Sequence, residues 1–349
     1  MKKQITWFMM IVLLCVTLSG CNGSTNTKDD RLQVVCTIFP IYDWVREICG
    51  SQTANTELTL LLDNGADLHN YQPSVEDIVK ISGCDIFIYV GGESDAWVEG
   101  VLKEATNPDM RVISLLDVLG DQVKQEELVE GMEEEAHEHE AEHETDSHEA
   151  DAEHETDSHE ADEHDEHHEE IEYDEHVWLS LRNAEIFCNE IERQLSDIDA
   201  DNATVYKDNV VNYIGKLQEL DTAYATAIDA ASKQTLVFAD RFPFRYLADD
   251  YNLQYYAAFV GCSAETEASF ETILFLANKA DELAVPAILV IESSDQKLAK
   301  TVIENSADAS RPILVMDSLQ SITEEELNGE VTYVSVMQKN LDTLKEALR

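Results

Sequence analysis

The sequence predicts an α/β protein of two lobes, each a parallel sheet flanked by helices, joined by one long helix. Two observations indicate this fold class. Short, nearly continuous apolar runs alternate with helix-like stretches in both halves of the chain, which is typical of parallel strands covered on both faces. Between the halves, residues 203–231 contain no proline and place apolar side chains at helical spacing, which predicts the joining helix.

The predicted elements follow the same plan in each lobe. The first lobe, 32–196, is predicted to hold strands at 33–39, 56–62, 85–90 and 111–116, and helices at 42–49, 74–82 and 95–105. The linking helix is assigned to 197–232. The second lobe, 233–349, is predicted to hold strands at 235–240, 253–260, 287–293 and 312–318, and helices near 244–251, 268–284, 295–306 and 332–348.

The N-terminus predicts export and a lipid anchor. Lys2 and Lys3 precede an apolar run that is short for a membrane span, so residues 1–20 are expected to be a signal peptide. The sequence Leu-Ser-Gly-Cys then resembles a bacterial lipobox and makes Cys21 the expected lipidated residue; the alternative is an ordinary signal peptide with an incidental cysteine. With residues 21–31 as a polar tether, the protein is expected to be extracytoplasmic and lipid-anchored to the bacterial cell membrane.

Charge and cysteine usage exclude several classes of protein. The formal net charge of −49 would repel phosphate, so no nucleic-acid partner is expected. The cysteines that follow the lipobox are odd in number and form no CxxC pair, which argues against a disulfide framework and a structural cysteine–zinc site. Buried thiols are the expected role of these residues, which are Cys36, Cys49, Cys84, Cys188 and Cys262.

Histidine is concentrated in one acidic tract. Of 11 histidines, nine lie between His137 and His168, and the sequence EHETDSHEAD occurs twice, at 142–151 and 153–162. Because this region has almost nothing apolar to bury, it predicts a disordered loop over about 121–172. Imidazole and carboxylate are ligands for zinc-class ions, so we expect a loop that collects metal weakly; the alternative is a solvated acidic spacer.

Four polar residues form a candidate metal site. His69 follows a predicted strand, Asp240 and Asp317 come at the ends of two others, and His176 lies where the acidic tract returns to order. Ligands of open α/β sheets bind outside the carboxyl ends of strands, so the four could form a site of two imidazoles and two carboxylates between the lobes. Taken singly, the two aspartates could instead be helix caps or turn residues, His69 a cap, and His176 a buried structural histidine.

Two motifs carry a resemblance to a known family. The segment GADLHNYQPSVED at 65–77 resembles GxDPHxYxPxxxD, and DEHVWLS at 174–180 resembles DPHxWLD. Over nearly all of the chain after Cys21, the sequence resembles the metal-binding lipoproteins of zinc and manganese ABC importers, the cluster A-I solute-binding proteins. The resemblance implies His69 and His176 as ligands. The later segment MDSLQSI resembles the family's carboxylate ligand and points to Asp317.

The chain departs from the family pattern at the third ligand. Family members carry histidine or glutamate a few residues before an aromatic pair, and here the segment reads FADRFPFRYL. Arg241 occupies the expected spacing and cannot be a ligand because it stays protonated. Asp240 is the nearest acid, with Glu265 and Glu292 in reserve. Both histidine motifs also lack the family's proline, which Leu68 replaces in the first.

These features predict a binding protein and no enzyme. We expect a monomer that captures a divalent transition metal and delivers it to an ABC permease and its ATPase. Histidine in the tract favours Zn²⁺, whereas two carboxylates in the site would suit Mn²⁺, which is the alternative. A surface adhesin or metal-buffering lipoprotein without a transporter is a second alternative. A metal-dependent hydrolase is disfavoured because the sequence has no HExxH or serine-nucleophile motif.

Overall fold

Most of the two predicted lobes is covered by a computed structural model, which describes residues 31–63, 65–133, 172–263, 267–329 and 331–349. The predicted signal peptide, the lipidation site Cys21, the histidine-rich tract between 134 and 171, and Glu265 lie outside the described residues. Within the described ranges, no helix is long and apolar enough to cross a membrane.

The first lobe contains a four-stranded parallel sheet in the order β2-β1-β3-β4. Its strands are buried or half-buried apolar segments, as the composition of their runs predicts: β1 Leu32–Cys36, β2 Thr56–Leu60, β3 Ile86–Tyr89 and β4 Arg111–Ser114. The connecting helices are Phe39–Cys49, Val75–Gly83 and Val98–Lys103, and a short helix Leu115–Leu119 follows the last strand. In all three parallel connections a helix covers the sheet, which removes the apolar strand faces from water.

The second lobe repeats this topology with the order β6-β5-β7-β8. All of its pairings are parallel, and the strands are β5 Thr235–Phe242, β6 Gln254–Val260, β7 Ile288–Ile291 and β8 Ile313–Met316. The helices of this lobe are Arg245–Asp250, Phe270–Glu282, Lys297–Glu304, Glu324–Asn328 and Tyr333–Ala347. The predicted fold class of two parallel sheets with flanking helices is therefore confirmed.

The linking helix spans Ala203–Asp229 and lies against helices of both lobes. Its buried side chains recur every three or four residues, so one face is covered while the other stays in water: Tyr206, Val210, Tyr213, Leu217, Leu220, Tyr224 and Ile228. Each such apolar side chain contributes about 1.5–3 kcal/mol when fully buried. At its far end the hydroxyl of Tyr224 donates to the carbonyl of Met337 in the last helix. The linking helix is thus packed along its length.

The last helix, Tyr333–Ala347, crosses back to the first lobe. Tyr333 donates its backbone N–H to the carboxylate of Asp43 at 2.7 Å and its hydroxyl to the carbonyl of Trp178 at 2.7 Å. Trp178 in turn donates its indole N–H to the carbonyl of Ser318 at 2.8 Å. One apolar core extends through these contacts, so the lobes share buried surface beside the linking helix.

Two parts of the chain differ from the predicted boundaries. A helix at Leu181–Ile198 has no predicted counterpart, and it runs into the segment 197–232 that was assigned to the linking helix. Residues 121–133, expected to belong to the disordered loop, are part of the fold, where Gln125 pairs with Tyr173 in an antiparallel bridge. The lobe boundaries themselves stay predictions.

Candidate metal centre

His69 lies on a single turn of 3-10 helix that follows β2. Asp67 caps this turn by accepting a hydrogen bond from the His69 backbone N–H at 3.0 Å, and its carboxylate also pairs with Arg241 from the second lobe. Leu68, which stands where the family has proline, is buried and holds the turn against the core. The ring Nδ1 of His69 lies 2.8 Å from the Ser94 hydroxyl, so its Nε2 faces the space between the lobes.

His176 is fully buried at the start of another 3-10 turn. Its ring Nδ1 lies 2.9 Å from the carboxylate of Asp174, which also accepts the His176 backbone N–H. A carboxylate at Nδ1 selects the tautomer that leaves the Nε2 lone pair free for a ligand. Gly261 lets the neighbouring loop approach, because a Cβ there would lie 3.0 Å from the imidazole.

The two imidazoles converge on the same point. Their Nε2 atoms are 3.3 Å apart, and the side-chain nitrogen of Gln320 lies 2.8 Å from that of His69 and 2.6 Å from that of His176. Cys262 is also close, since its sulfur and one nitrogen of each imidazole all lie within 4.8 Å of one another. The loops after β2, β6 and β8 supply three of these side chains, so the cluster lies at the carboxyl ends of strands from both sheets.

The surroundings keep the first imidazole neutral. Burial and the neighbouring His176 lower the pKa of His69 to about 3. Burial raises the pKa of Glu175, whose carboxylate accepts the Ser94 backbone N–H at 2.9 Å and lies 3.8 Å from Nδ1 of His69. A neutral imidazole can bind a metal without first losing a proton.

An acidic cavity of about 240 Å³ opens onto the cluster. Both His69 and Cys262 line it. The other lining residues are mostly acidic and are Glu93, Ser94, Glu126, Glu172, Tyr173 and Glu175. Carboxylates at the mouth give the opening a negative field, which raises the local concentration of cations.

The structure does not bring Asp240 and Asp317 to the imidazoles. Among the described residues, the group of metal-binding side chains around His69 and His176 includes Cys262 and neither aspartate. Asp240 accepts hydrogen bonds from Arg241 and Ser294, beside a different cavity. The pairing of β5 is irregular between Phe238 and Arg241, and here the Arg241 guanidinium pairs with Asp67 while the Asp240 carboxylate binds Ser294.

Asp317 is held within its own turn. Its carboxylate accepts the Leu319 backbone N–H at 2.9 Å, and Asn340 binds its backbone on both sides. The reserve residue Glu292 accepts the backbone N–H and the hydroxyl of Ser318, each at 2.7 Å. These carboxylates therefore support the loop that carries Gln320, and the four-ligand set with both aspartates stays a prediction.

The sequence prediction did not include Cys262 and Gln320. For Cys262 the sequence predicts a buried thiol, since the cysteines after the lipobox are odd in number and form no CxxC pair. A usable signal did exist, since Cys262 follows the apolar run of β6 by two residues, as the other candidates follow their strands. Gln320 has no such signal. Its position depends on Leu319, which turns the chain with a positive φ of 58°.

Comparison with known proteins shows which family the chain resembles over its length. The family model described as ZnuA, the periplasmic component A of the zinc-uptake complex, matches residues 34–347. The zinc-binding lipoprotein AdcA of Streptococcus pneumoniae is 30% identical over 338 residues, which are 97% of this chain and 60% of AdcA. The high-affinity zinc uptake system protein ZnuA of Bacillus subtilis is 29% identical over 330 residues, which are 95% of this chain and 92% of that protein.

Solved structures are similar to the same extent. The Zn(II)-bound ZnuA-like domain of Streptococcus pneumoniae AdcA superimposes with a TM-score of 0.65 at 26% identity, covering 91% of this chain and 99% of the domain. The chain thus spans about 60% of the AdcA sequence and nearly all of its ZnuA-like domain. Since the family model covers almost the whole described chain, the protein belongs to the ZnuA family of periplasmic zinc-uptake components.

Proposed function

We propose that this protein captures Zn²⁺ outside the cytoplasm and delivers it to an ABC permease and its ATPase. The observation that carries the proposal is the 3.3 Å separation of the two imidazole Nε2 atoms. For Zn–N bonds of about 2.0–2.1 Å, two ligands of a tetrahedron lie about 3.3–3.4 Å apart. One ion can therefore bind both nitrogens with little movement of the rings.

Without a metal, the two imidazoles are already oriented as a metal ion requires. Asp174 and Ser94 hold the outer nitrogens, so both inner lone pairs face the same point. Neutral imidazole suits zinc better than manganese, and relatives named for zinc binding and zinc uptake support the same choice. Mn²⁺ stays the alternative cargo.

The remaining parts of the chain fit a capture protein. We propose that Cys21 carries the lipid anchor, that the protein acts as a monomer without enzymatic activity, and that the histidine-rich tract collects ions weakly. Glu172, the first described residue after the tract, lines the acidic cavity beside His69. Ions released from weak sites in the tract would thus enter a negatively charged opening that leads to His69 and Cys262.

The central test is removal of either imidazole. His69→Ala and His176→Ala should each abolish the tight zinc site of the purified protein, measured by competition with a chromogenic chelator and by metal content after dialysis. His148→Ala, in the tract, is the matched control and should leave the tight site unchanged. Undiminished tight binding in both site variants would falsify the proposed function.

A further inference from the structure

The two imidazoles alone leave the proposed site incomplete. A zinc ion in a closed protein site takes four ligands, drawn from nitrogen, sulfur and oxygen donors. The carboxylates expected to supply the other two positions are bonded elsewhere. Among the described residues, the candidates for the further donors are the side chains that already surround the Nε2 atoms of His69 and His176.

Cys262 is placed to supply sulfur. Its Sγ belongs to the group whose metal-binding atoms lie within 4.8 Å of one another, whereas sulfur and nitrogen ligands of one zinc ion lie about 3.6 Å apart. The backbone N–H of Cys262 donates to the carboxylate of Glu126 at 3.0 Å, which fixes the loop at the cavity. It is partly exposed, whereas the other four described cysteines are buried.

Gln320 occupies the position where a cation would lie. Its amide nitrogen contacts both imidazole Nε2 atoms, so the two N–H groups can satisfy the two lone pairs that would otherwise bind metal. The side chain is only 2% exposed. A buried amide that contacts both rings leaves no room for an ion until the amide group moves away from them.

An ion fits between the rings once the amide moves back from the two Nε2 atoms, and a turn by half a rotation then presents its oxygen to that ion. The hydroxyl of Ser318 has one hydrogen and faces two acceptors, the carboxylate of Glu292 at 2.7 Å and the Gln320 oxygen at 3.0 Å. After the turn, the amide nitrogen donates to the Ser318 oxygen and the hydroxyl hydrogen serves Glu292 alone. The turned amide therefore loses no hydrogen bond at Ser318, and its oxygen becomes a ligand.

We propose that Cys262 and Gln320 complete the coordination sphere, giving a site of two imidazoles, one thiolate and one amide oxygen. This inference rests on the proposed function. On binding, the Cys262 thiol releases its proton to solvent, its sulfur donates an electron pair to the metal, and the Gln320 oxygen replaces the amide nitrogen. A thiolate is a soft ligand, so this set selects zinc against manganese more strongly than two carboxylates would.

The thiolate is tested with Co²⁺, which reports its ligands by absorption. The purified protein loaded with Co²⁺ should show thiolate-to-cobalt charge transfer in the near ultraviolet. Cys262→Ala should lose that absorption and bind Zn²⁺ at least about tenfold more weakly. Cys84→Ala, at a buried cysteine between the helix Val75–Gly83 and β3, is the matched control and should retain both. Charge transfer that persists in Cys262→Ala, or is absent from the loaded wild-type protein, overturns the thiolate assignment.

The amide oxygen is tested by two substitutions of similar size. Gln320→Glu keeps an oxygen donor and should bind Zn²⁺ at least as tightly as the wild type. Gln320→Leu removes the donor and should bind about tenfold more weakly. Tighter binding by Gln320→Leu would mean that the amide only blocks the site, and the ligand role would be wrong.

Failure of this inference is distinguishable from failure of the proposed function. If zinc binding needs His69 and His176 but is indifferent to Cys262→Ala and Gln320→Leu, capture stands and the coordination sphere proposed here is overturned. If the wild-type protein binds no Zn²⁺ tightly, both are overturned together.

Discussion

The two lobes share one strand order but hold their polar side chains in opposite ways. On the first lobe's side, Ser94 and Asp174 bind the outer nitrogens of His69 and His176, and the inner nitrogens both face Gln320. On the second lobe's side, the acids at the strand ends are bound by neighbouring groups of their own lobe. In the first lobe a carboxylate orients a histidine, whereas in the second lobe the carboxylates stabilise turns.

This difference teaches that a polar residue at a strand end is a ligand only if the fold leaves its donor atoms free. Asp317 accepts a backbone N–H two residues ahead, which is the usual turn-forming use of aspartate. Asp174 makes the same local contact with the His176 backbone, and it also reaches the imidazole. The site thus depends on which group each carboxylate binds with its remaining hydrogen bonds.

The sharpest test of the supporting role is Asp174→Asn. The amide keeps the shape of the side chain but removes the charge that favours the ligand tautomer of His176, so zinc affinity should fall by about 10- to 100-fold. Chelator competition measures the change. Asp250→Asn, which removes a carboxylate hydrogen-bonded to Ser180, is the control and should bind normally. An unchanged affinity in Asp174→Asn would show that the ring needs no such partner.

The neutral state of His69 predicts an acid sensitivity of the metal-free fold. The folded pKa is lowered to about 3 from an ordinary 6.5, so the unfolded chain takes up a proton that the folded chain cannot. The stability that this residue contributes is complete above pH 6.5 and is lost as the pH falls toward 3. Between pH 8 and 5, metal-free wild type should lose about 2 kcal/mol more than His69→Gln.

Urea unfolding of both proteins in the presence of a chelator measures this difference. Every other titrating group is common to the two chains, so the divergence of their curves against pH reports His69 together with its effect on neighbouring groups. Parallel curves would mean that the imidazole is free to take a proton in the folded protein.

Gly261 offers a milder way to disturb the same side chain. A Cβ at this position would lie 3.0 Å from two atoms of the His176 ring, so Gly261→Ala should displace the ring by a few tenths of an ångström and weaken zinc binding about tenfold. Gly215→Ala, where a Cβ meets nothing within 4 Å, is the matched control. Binding as tight as in the control would indicate that the loop moves and the ring does not.

The smallest effect is expected in the second lobe. Asp240→Asn and Asp317→Asn should change zinc affinity by less than about threefold, because both carboxylates bind their own loops. A lower melting temperature with intact affinity is the expected outcome in thermal unfolding with and without zinc. A loss of affinity comparable to that of Asp174→Asn would restore the aspartates as ligands and erase the contrast between the lobes.

The sequence alone predicts the fold well because buried parallel strands appear in it as short, nearly continuous apolar runs. All eight strands fall within or beside predicted apolar runs, and the linking helix begins at Ala203 as its spacing indicates. The helix Leu181–Ile198 was missed although its buried residues recur at three- and four-residue spacing, with Ser180 as its cap. The capping serine Ser180 is the local sequence signal that marks the start of this helix.

The site was predictable only where a local motif marks it. His69 and His176 each lie in a recognisable segment, and both reach the cluster. Gln320 lies 251 residues from His69, and its contact depends on a left-handed turn at Leu319 that no propensity predicts. Distance along the sequence indicates Asp240, but β5 is irregular between Phe238 and Arg241, and the Asp240 carboxylate binds Ser294 and the Arg241 backbone instead.

The packing of the last helix against the first lobe affects the order in which the chain folds. The contact between Tyr333 and Asp43 joins residues 290 positions apart, so the first lobe is completed by residues made long after its own. Contacts of such long range form late in folding, after shorter loops have closed. A partly synthesised chain therefore presents neither a finished first lobe nor the loop of Gln320. We expect thermal unfolding in one transition, and metal capture only once residues beyond 333 have docked.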